Sequence, residues 1–410
     1  MAAAVMTGQA SAEAFTRFQR LAWTNLVFSV TRRCPLRCAH CVTASAPDAA
    51  FPVLDVDEAG RWAPDLAALA ALGLRTVTFT GGEPTLALHP VATLARAARA
   101  AGLRTAVVTS GSWGASAPLT GRVIGLLGPA VDAWDFGYDA YHARHLALPA
   151  FIRAVAAACD TGAEVAVRLC EADAVSTQAV LAALEGALPT AVTVIVQPTL
   201  AVGRGADLVP DGVLEPAGGD GPLAPCLSTG PFVREDGSVG PCCAALGYGA
   251  RGRHPLEYGG PGGLVAAWRR WRADPLLRLL RLAGFALPLR WLAEEGLLDP
   301  QALAGGHVCE VCQGLWDDDG RVAAMLRRRA EDPKLLALLD GLEIALFGAV
   351  WSETAAVPPP QGENRARGLF CRGVSRVTRP CCAPWCVARL PPPGRAMPWP
   401  APSPGGMGGR

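Results

Sequence analysis

From residue 25 to about residue 199 the chain repeats one pattern of apolar and polar positions. A short run that is apolar nearly throughout gives way to a longer run with apolar residues on one helical face, which ends near a glycine. The short runs are 26–30, 76–80, 105–109, 133–137, 164–169 and 192–196, rich in Val, Phe, Leu and Ile. Such runs predict parallel strands covered on both faces. Between them Trp62, Leu66, Leu69 and Leu72 share a face before Gly73, and Val91, Leu94 and Ala98 do so before Gly102. Phe151, Val155 and Cys159 precede Gly162 in the same way, and Val180, Leu181 and Leu184 precede Gly186. A glycine just past a helix is the expected left-handed cap. Six β-α units predict a parallel sheet with right-handed crossovers, too few for a closed eight-fold barrel.

The pattern then changes. Residues 209–225 are rich in Gly, Pro and Asp without periodicity and predict a linker. Asp236-Gly237 between short apolar stretches predicts a hairpin turn. Residues 264–298 are helical in pattern, with Trp268, Trp271, Leu276, Leu279 and Leu280 among Arg269, Arg270, Arg272, Arg278 and Arg281. That basic amphipathic face either meets an acidic partner or is solvated. Residues 321–346 predict two helices broken at Asp332-Pro333. The expected organisation is a 1–24 extension, a 25–208 α/β domain, the 209–225 linker, a 226–350 cysteine-rich α+β domain with a helical insert, and a 351–410 tail. The tail is dense in Pro, Gly and Arg and is expected to be disordered.

Composition narrows the classes. The 410 residues carry a formal net charge of +1, which gives no push toward nucleic acid or membrane. The hydrophobic fraction of 51% is inflated by alanine. The longest uncharged run, 186–203, is broken by Pro189 and Pro198 and does not predict a membrane span. The start resembles no secretory signal, so the 14 cysteines point to metal or cluster binding in a cytoplasmic protein and not to disulfides.

Three of those cysteines fall within eight residues, Cys34-Pro-Leu-Arg-Cys38-Ala-His-Cys41, directly after the first predicted strand. Three thiols cannot all pair as disulfides. A structural zinc site wants four protein ligands, and only His40 is nearby. A 4Fe–4S cluster held by three thiolates leaves one iron open to bind a small molecule. The loop resembles the signature of the radical SAM enzymes, with His40 where that family often has an aromatic residue. The resemblance implies a partial (β/α)6, TIM-like barrel open on one side. It also implies S-adenosylmethionine (SAM) on the open iron, electron transfer that breaks a carbon–sulfur bond of SAM, and a 5′-deoxyadenosyl radical that takes hydrogen from a substrate.

Other strand ends extend the likeness, and in parallel β/α sheets those ends carry the site. Gly81-Gly82-Glu83-Pro84 matches the family motif that holds the SAM amino group. Ser110 stands where relatives have Asn in a turn. Asp139, in Gly137-Tyr138-Asp139, is the ribose candidate. Arg168 either pairs with the SAM carboxylate or forms a structural ion pair. Gln197-Pro198 to Gly203-Arg204-Gly205 is similar to a barrel-exit segment whose backbone reaches adenine. His142 and His145 are either general bases or helix-capping surface residues. Cys159 and Cys170 are expected in the core.

Cys226, Cys242 and the Cys309-x2-Cys312 pair form a second set, with Cys243 able to replace Cys242. The pattern resembles the Twitch module, a shortened SPASM domain, and implies one auxiliary 4Fe–4S cluster. A zinc site with the same four thiolates is the alternative. In the tail, Cys371, Cys381, Cys382 and Cys386 are either loose thiols or a metal-binding group.

The function implied is a radical SAM oxidoreductase that matures a ribosomally made peptide or protein by crosslinking, epimerisation or oxidation. Tyr138, Tyr141, His142 and Cys243 are candidates to quench the product radical. The expected partners are the substrate, a flavodoxin- or ferredoxin-like electron donor and a separate peptide-recognition protein, with no nucleic acid and no membrane. The alternatives are small-molecule chemistry in cofactor biosynthesis and a non-enzymatic iron–sulfur electron-transfer protein.

Overall fold

The computed structural model describes residues 12–208, 225–244, 254–259, 263–297, 307–316 and 320–351, and the backbone of 377 and 378. Six parallel strands pair in chain order: β1 (Asn25–Ser29), β2 (Thr76–Thr80), β3 (Arg104–Thr109), β4 (Ala133–Gly137), β5 (Glu164–Cys170) and β6 (Thr193–Gln197). Parallel pairing in sequence order brings all six carboxyl ends to one rim. The helices between them are α2 (Val56–Ala71), α3 (Leu88–Ala100), α4 (Ala117–Leu127), α5 (Leu148–Cys159) and α6 (Ala174–Ala187). Trp62, Leu66 and Leu69 are buried on α2, and Val91, Leu94 and Ala98 on α3, as their spacing predicts. The sheet is an open partial barrel, with β7 (Phe232–Arg234) on the outer edge of β1 and β8 (Val239–Gly240) beyond it.

The hairpin β7–β8 turns at Gly237, whose φ of +79° suits a residue without Cβ. It comes from the C-terminal region, yet β7 pairs parallel to β1, with Val27 opposite Phe232. The helices of that region are α7 (Gly263–Ala273), α8 (Pro275–Ala283), α9 (Ala286–Glu294), α10 (Val308–Gly314), α11 (Arg321–Ala330) and α12 (Pro333–Phe347). One buried apolar cluster runs from Trp23 through the barrel to Trp351.

Three expectations change here. The N-terminal extension contains helix α1 (Ala12–Trp23), which docks on the C-terminal helices. Gln19 Nε2 donates to Arg281 O at 2.9 Å, and Trp23 meets Trp271 edge-on with centroids 5.1 Å apart. The tail does not begin at residue 351, because Trp351 is buried against Phe347. Past it, Val377–Thr378 form β9 on β6; the remaining tail and its four cysteines, and residues 209–224 of the linker, lie outside the described residues. Finally, the arginines of 264–298 are not one solvated face. Arg278 pairs with Glu343 at 2.8 Å and Asp340 at 2.6 Å, Arg272 bonds the carbonyl of Trp351, and Arg281 is fully buried. Of the five named above, Arg269 and Arg270 are exposed.

His254, 2% exposed, packs edge-on to Trp316, and its Nδ1 accepts from Leu256 N–H at 3.0 Å. Burial, with help from Arg234 and Arg327, pushes its pKa down to about 3. The unfolded chain therefore takes up a proton below about pH 6.5 that the folded chain refuses. Stability is expected to fall by about 1.4 kcal/mol per pH unit as pH drops below that value. Urea midpoints from pH 7 to 5 should fall less steeply in His254→Gln than in the wild type by this amount, the remaining slope coming from groups such as His40. An equal slope in both proteins would refute the assignment.

Candidate functional site

The cysteine loop leaves β1 and is clamped from two sides. On one side Gly82 N–H donates to Thr31 O at 2.6 Å and Glu83 N–H to Arg33 O at 2.9 Å. A Cβ on Gly81 would lie 2.2 Å from Thr31 O, and one on Gly82 would lie 2.2 Å from Arg33 O. The glycine pair thus serves the approach of two backbones, beside any ligand it meets. On the other side Arg204 Nη2 donates to Cys38 O at 2.8 Å and to Ser45 O at 2.7 Å, and Arg204 N–H donates to Cys41 O at 3.1 Å. Gly203, at φ +62°, would put a Cβ 2.4 Å from Val42 O. The barrel-exit segment therefore grips the loop itself, and this use of the Arg204 side chain is not apparent from its motif.

Within the loop Cys34 and Cys38 are buried and Cys41 half-buried, and all three are free thiols. Burial, then the nearby Glu83, Cys38 and Cys41, push the Cys34 thiol upward. Three thiols this close, of which Cys34 is disfavoured from ionising by its neighbours, suit a cationic metal centre, which would hold them as thiolates. By that chemistry the donor set fits an iron–sulfur cluster.

Glu83 is fully buried. Its Oε1 accepts from Thr85 Oγ1 and Thr109 Oγ1, both at 2.8 Å, and its Oε2 accepts from Ser110 N–H at 3.0 Å and Ser110 Oγ at 2.6 Å. The carboxylate ties the ends of β2 and β3 together and starts the short helix Pro84–Ala87. An ammonium group reaching it would have to displace one of these hydroxyl donors. Ser110 is first of all a partner of Glu83.

At the ends of β4 and β5, Asp139 is 1% exposed. Its Oδ1 accepts from His142 Nδ1 at 2.9 Å and from the N–H groups of Tyr141 and His142; its Oδ2 accepts from Cys170 N–H at 3.2 Å and lies 3.4 Å from His40 Nε2. Burial opposes both charges of the Asp139–His142 pair, but attraction wins: Asp139 is held below the usual carboxylate range and His142 is raised to about 10. His40 goes the other way, lowered by burial to about 4 and so neutral. Its ring lies on Tyr141, centroids 4.5 Å apart, and its Nδ1 is buried without a partner among the described residues.

Cys170 is not a core residue of the helical layer. Its Sγ lies within 4.8 Å of ligand atoms of His40 and Asp139, the one such trio among the described residues. Burial raises this thiol to about 12, so it stays protonated. The sequence held a signal for this, since Cys170 ends β5 on the same side as Arg168, two residues back. Arg168 itself donates from Nε to Asp135 Oδ2 at 2.6 Å, the ion-pair alternative. His145 is exposed.

The second thiol set also converges. Cys309 and Cys312 sit on α10, whose start is capped by His307 and Glu310 in reciprocal hydrogen bonds. Burial, followed by Cys243, Cys242, Cys226 and Cys312, drives the Cys309 thiol well up, so all five sulfurs share one neighbourhood. Cys243 also packs on Val27 and Phe232. Glu310 Oε1 accepts from Ala201 N–H at 2.8 Å, which joins α10 to the segment that carries Arg204.

The family model of the Radical SAM superfamily matches residues 28–165. The PqqA peptide cyclase of Bradyrhizobium diazoefficiens is 36% identical over 85 residues, 21% of this chain and 21% of that protein. The GTP 3′,8-cyclase of Chlorobaculum tepidum is 40% identical over 84 residues, 20% of this chain and 24% of that protein. The match therefore spans only about a fifth to a quarter of these relatives. Native anSMEcpe with bound AdoMet, a solved structure, aligns at a TM-score of 0.45 with 13% identity, over 78% of this chain and 99% of that one. No helix among the described residues is long and apolar enough to cross a membrane. The matched span runs from β1 into β5 and takes in Cys34, Cys38, Cys41 and Gly81 to Pro84, and it makes residues 28–165 a radical SAM superfamily domain, a family that implies a 4Fe–4S cluster and SAM.

Proposed function

We propose that this chain is a radical SAM enzyme that modifies a ribosomally made peptide or protein, with an auxiliary iron–sulfur cluster in its C-terminal region. The observation that carries the reading is the loop of three free thiols held at the rim of an open barrel by Gly82 on one side and Arg204 on the other. A cluster bound there supplies the electron that opens a carbon–sulfur bond of SAM. Cys34, Cys38 and Cys41 are its ligands. The backbone of Gly81 to Pro84 borders the SAM site, with Glu83 and Ser110 bracing it from behind. His40, neutral and tilted against the ring of Tyr141, lines the same rim, and Asp139 and His142 hold it in place. Positioning is the protein's main contribution.

The auxiliary centre takes Cys226, Cys309, Cys312 and one of Cys242 and Cys243. Five thiols that come near Cys309 and form no disulfide, and a buried guanidinium nitrogen of Arg281 without an acceptor among the described residues, fit an anionic centre there. The peptide substrate follows the PqqA peptide cyclase likeness. A flavodoxin- or ferredoxin-like donor and a separate peptide-recognition protein belong to the same proposal. The GTP 3′,8-cyclase likeness supports a second reading, a small-molecule substrate.

The test is anaerobic reconstitution of the full chain, with iron counting and a search for 5′-deoxyadenosine under strong reductant. Peptides encoded beside the gene and GTP are then offered in parallel. A mass change in a peptide supports the first reading and a product from GTP the second. Zinc in place of iron in the Cys34–Cys41 loop, or no adenosyl fragment, would refute both.

A further inference from the structure

Three arginines of the C-terminal helices are buried, and they differ in what faces their charge. Arg278 has Glu343 and Asp340. Arg272 feels Glu343 and bonds the carbonyl of Trp351. Arg281, the most buried at 0% exposure, has no carboxylate partner among the described residues. Its Nη1 donates to Ser228 O at 3.0 Å and its Nη2 to Gln19 Oε1 at 2.7 Å, while Nε finds no acceptor among those residues. The indoles of Trp271 and Trp23 lie 4.8 and 5.1 Å from its central carbon. Neutral oxygens and ring faces soften a buried charge but do not cancel it, and a buried unpaired charge is costly.

The missing counter-charge is close at hand. Cys226 N–H donates to Leu280 O at 2.7 Å, Gln19 Nε2 reaches both Arg281 O and Cys226 O, and Ser228, the Arg281 acceptor, is two residues beyond Cys226. Of the ionisable groups near Arg281, Cys226 and Cys242 bear on it most, and each would be anionic once bound to a metal centre. We infer that Arg281 is the counter-cation of the auxiliary centre and sets its reduction potential. The inference rests on the iron–sulfur reading of that centre given above. A four-thiolate cluster is anionic and gains a further unit of negative charge on reduction. A fixed cation beside it favours the reduced form, and the guanidinium is buried with Trp23 and Trp271, which limits screening on its side.

The test is EPR-monitored potentiometry of the reconstituted full chain, following the signal that SAM does not perturb. Arg281→Gln keeps hydrogen-bonding capacity and removes the charge. It is expected to lower the reduced-to-oxidised ratio at a fixed potential about tenfold, a shift of about 59 mV for a one-electron couple. Arg281→Lys keeps the charge and should stay near the wild type. Loss of auxiliary iron from Arg281→Gln but not from Arg281→Lys would equally show that the charge is required. An unchanged potential in an iron-replete Arg281→Gln protein, or loss of iron from both variants, overturns the inference, because a packing role treats the two alike. Wild-type iron content is measured first: if only the barrel cluster loads, or zinc fills the second site, the reading beneath the inference fails, and no variant is needed to see it.

Discussion

On the two-cluster proposal, replacing Cys38 with serine is expected to abolish SAM cleavage and to cut the iron content of the reconstituted chain by about half, one of two four-iron clusters. Cys38 is 5% exposed, and Arg204 holds its carbonyl, so the backbone at this position is fixed. An alcohol at this position is a far weaker iron ligand than a thiolate, and Cys34 and Cys41 alone leave the cluster held at two corners. The rate of 5′-deoxyadenosine release should fall at least about 1,000-fold, roughly 4 kcal/mol of transition-state stabilisation. Cys170→Ala is the matched control: it removes a half-buried thiol at the same rim and should leave both the iron count and the brown chromophore intact. Full iron retention by Cys38→Ser would remove the loop from the candidate site.

Gly203→Ala is expected to destabilise the protein strongly and to loosen the cysteine loop from its open side. The new methyl would sit 2.4 Å from Val42 O and 2.6 Å from Cys41 O, on a residue at φ +62°. Those are backbone atoms and cannot rotate away. The exit segment must back off, which draws Arg204 from Cys38 and loosens the loop on its open side. Strain and lost hydrogen bonds together predict a loss of roughly 2–4 kcal/mol in unfolding free energy. Cluster loading should fall with it. At Gly121, within α4, an added methyl would meet no described atom within 4 Å, and Gly121→Ala should instead stabilise by about 0.5–1 kcal/mol through helix propensity. Urea midpoints of the two variants should move in opposite directions, and only Gly203→Ala should lose iron. Equal midpoints for Gly203→Ala and the wild type would show that the clamp is not structural.

The barrel strands are the legible part of the fold because parallel strands covered on both faces are apolar along their whole length. Thr76–Thr80 and Ala133–Gly137 stand in the structure with the bounds their composition predicts. Helix α4 leaves no such trace: Pro118, Gly121 and Gly125 dilute its propensity, and its place is set by packing on α3 and α5. Helix α1 looks like a mere extension in the sequence because its role depends on Gln19 meeting Arg281, 262 residues away. The arginine-rich helices mislead for a related reason. Periodicity says which residues share a face; whether that face meets water or Glu343 is decided by chain that lies elsewhere.

For the site, residue types and spacing alone specified the chemistry on offer: three thiols within eight residues after a strand, a Gly-Gly-Glu-Pro turn at the next strand end, and five more thiols downstream. Local order along the chain is enough for that, since ligand spacing is a property of neighbouring residues. The fold alone decided what each group does for the others. It spent Glu83 on Thr109 and Ser110, brought Cys170 beside His40 and Asp139, closed Arg204 over Cys38, and set Arg281 next to Cys226 with no described carboxylate to face it. Those pairings join distant segments through burial, and burial determines whether a charge is solvated, paired or stranded.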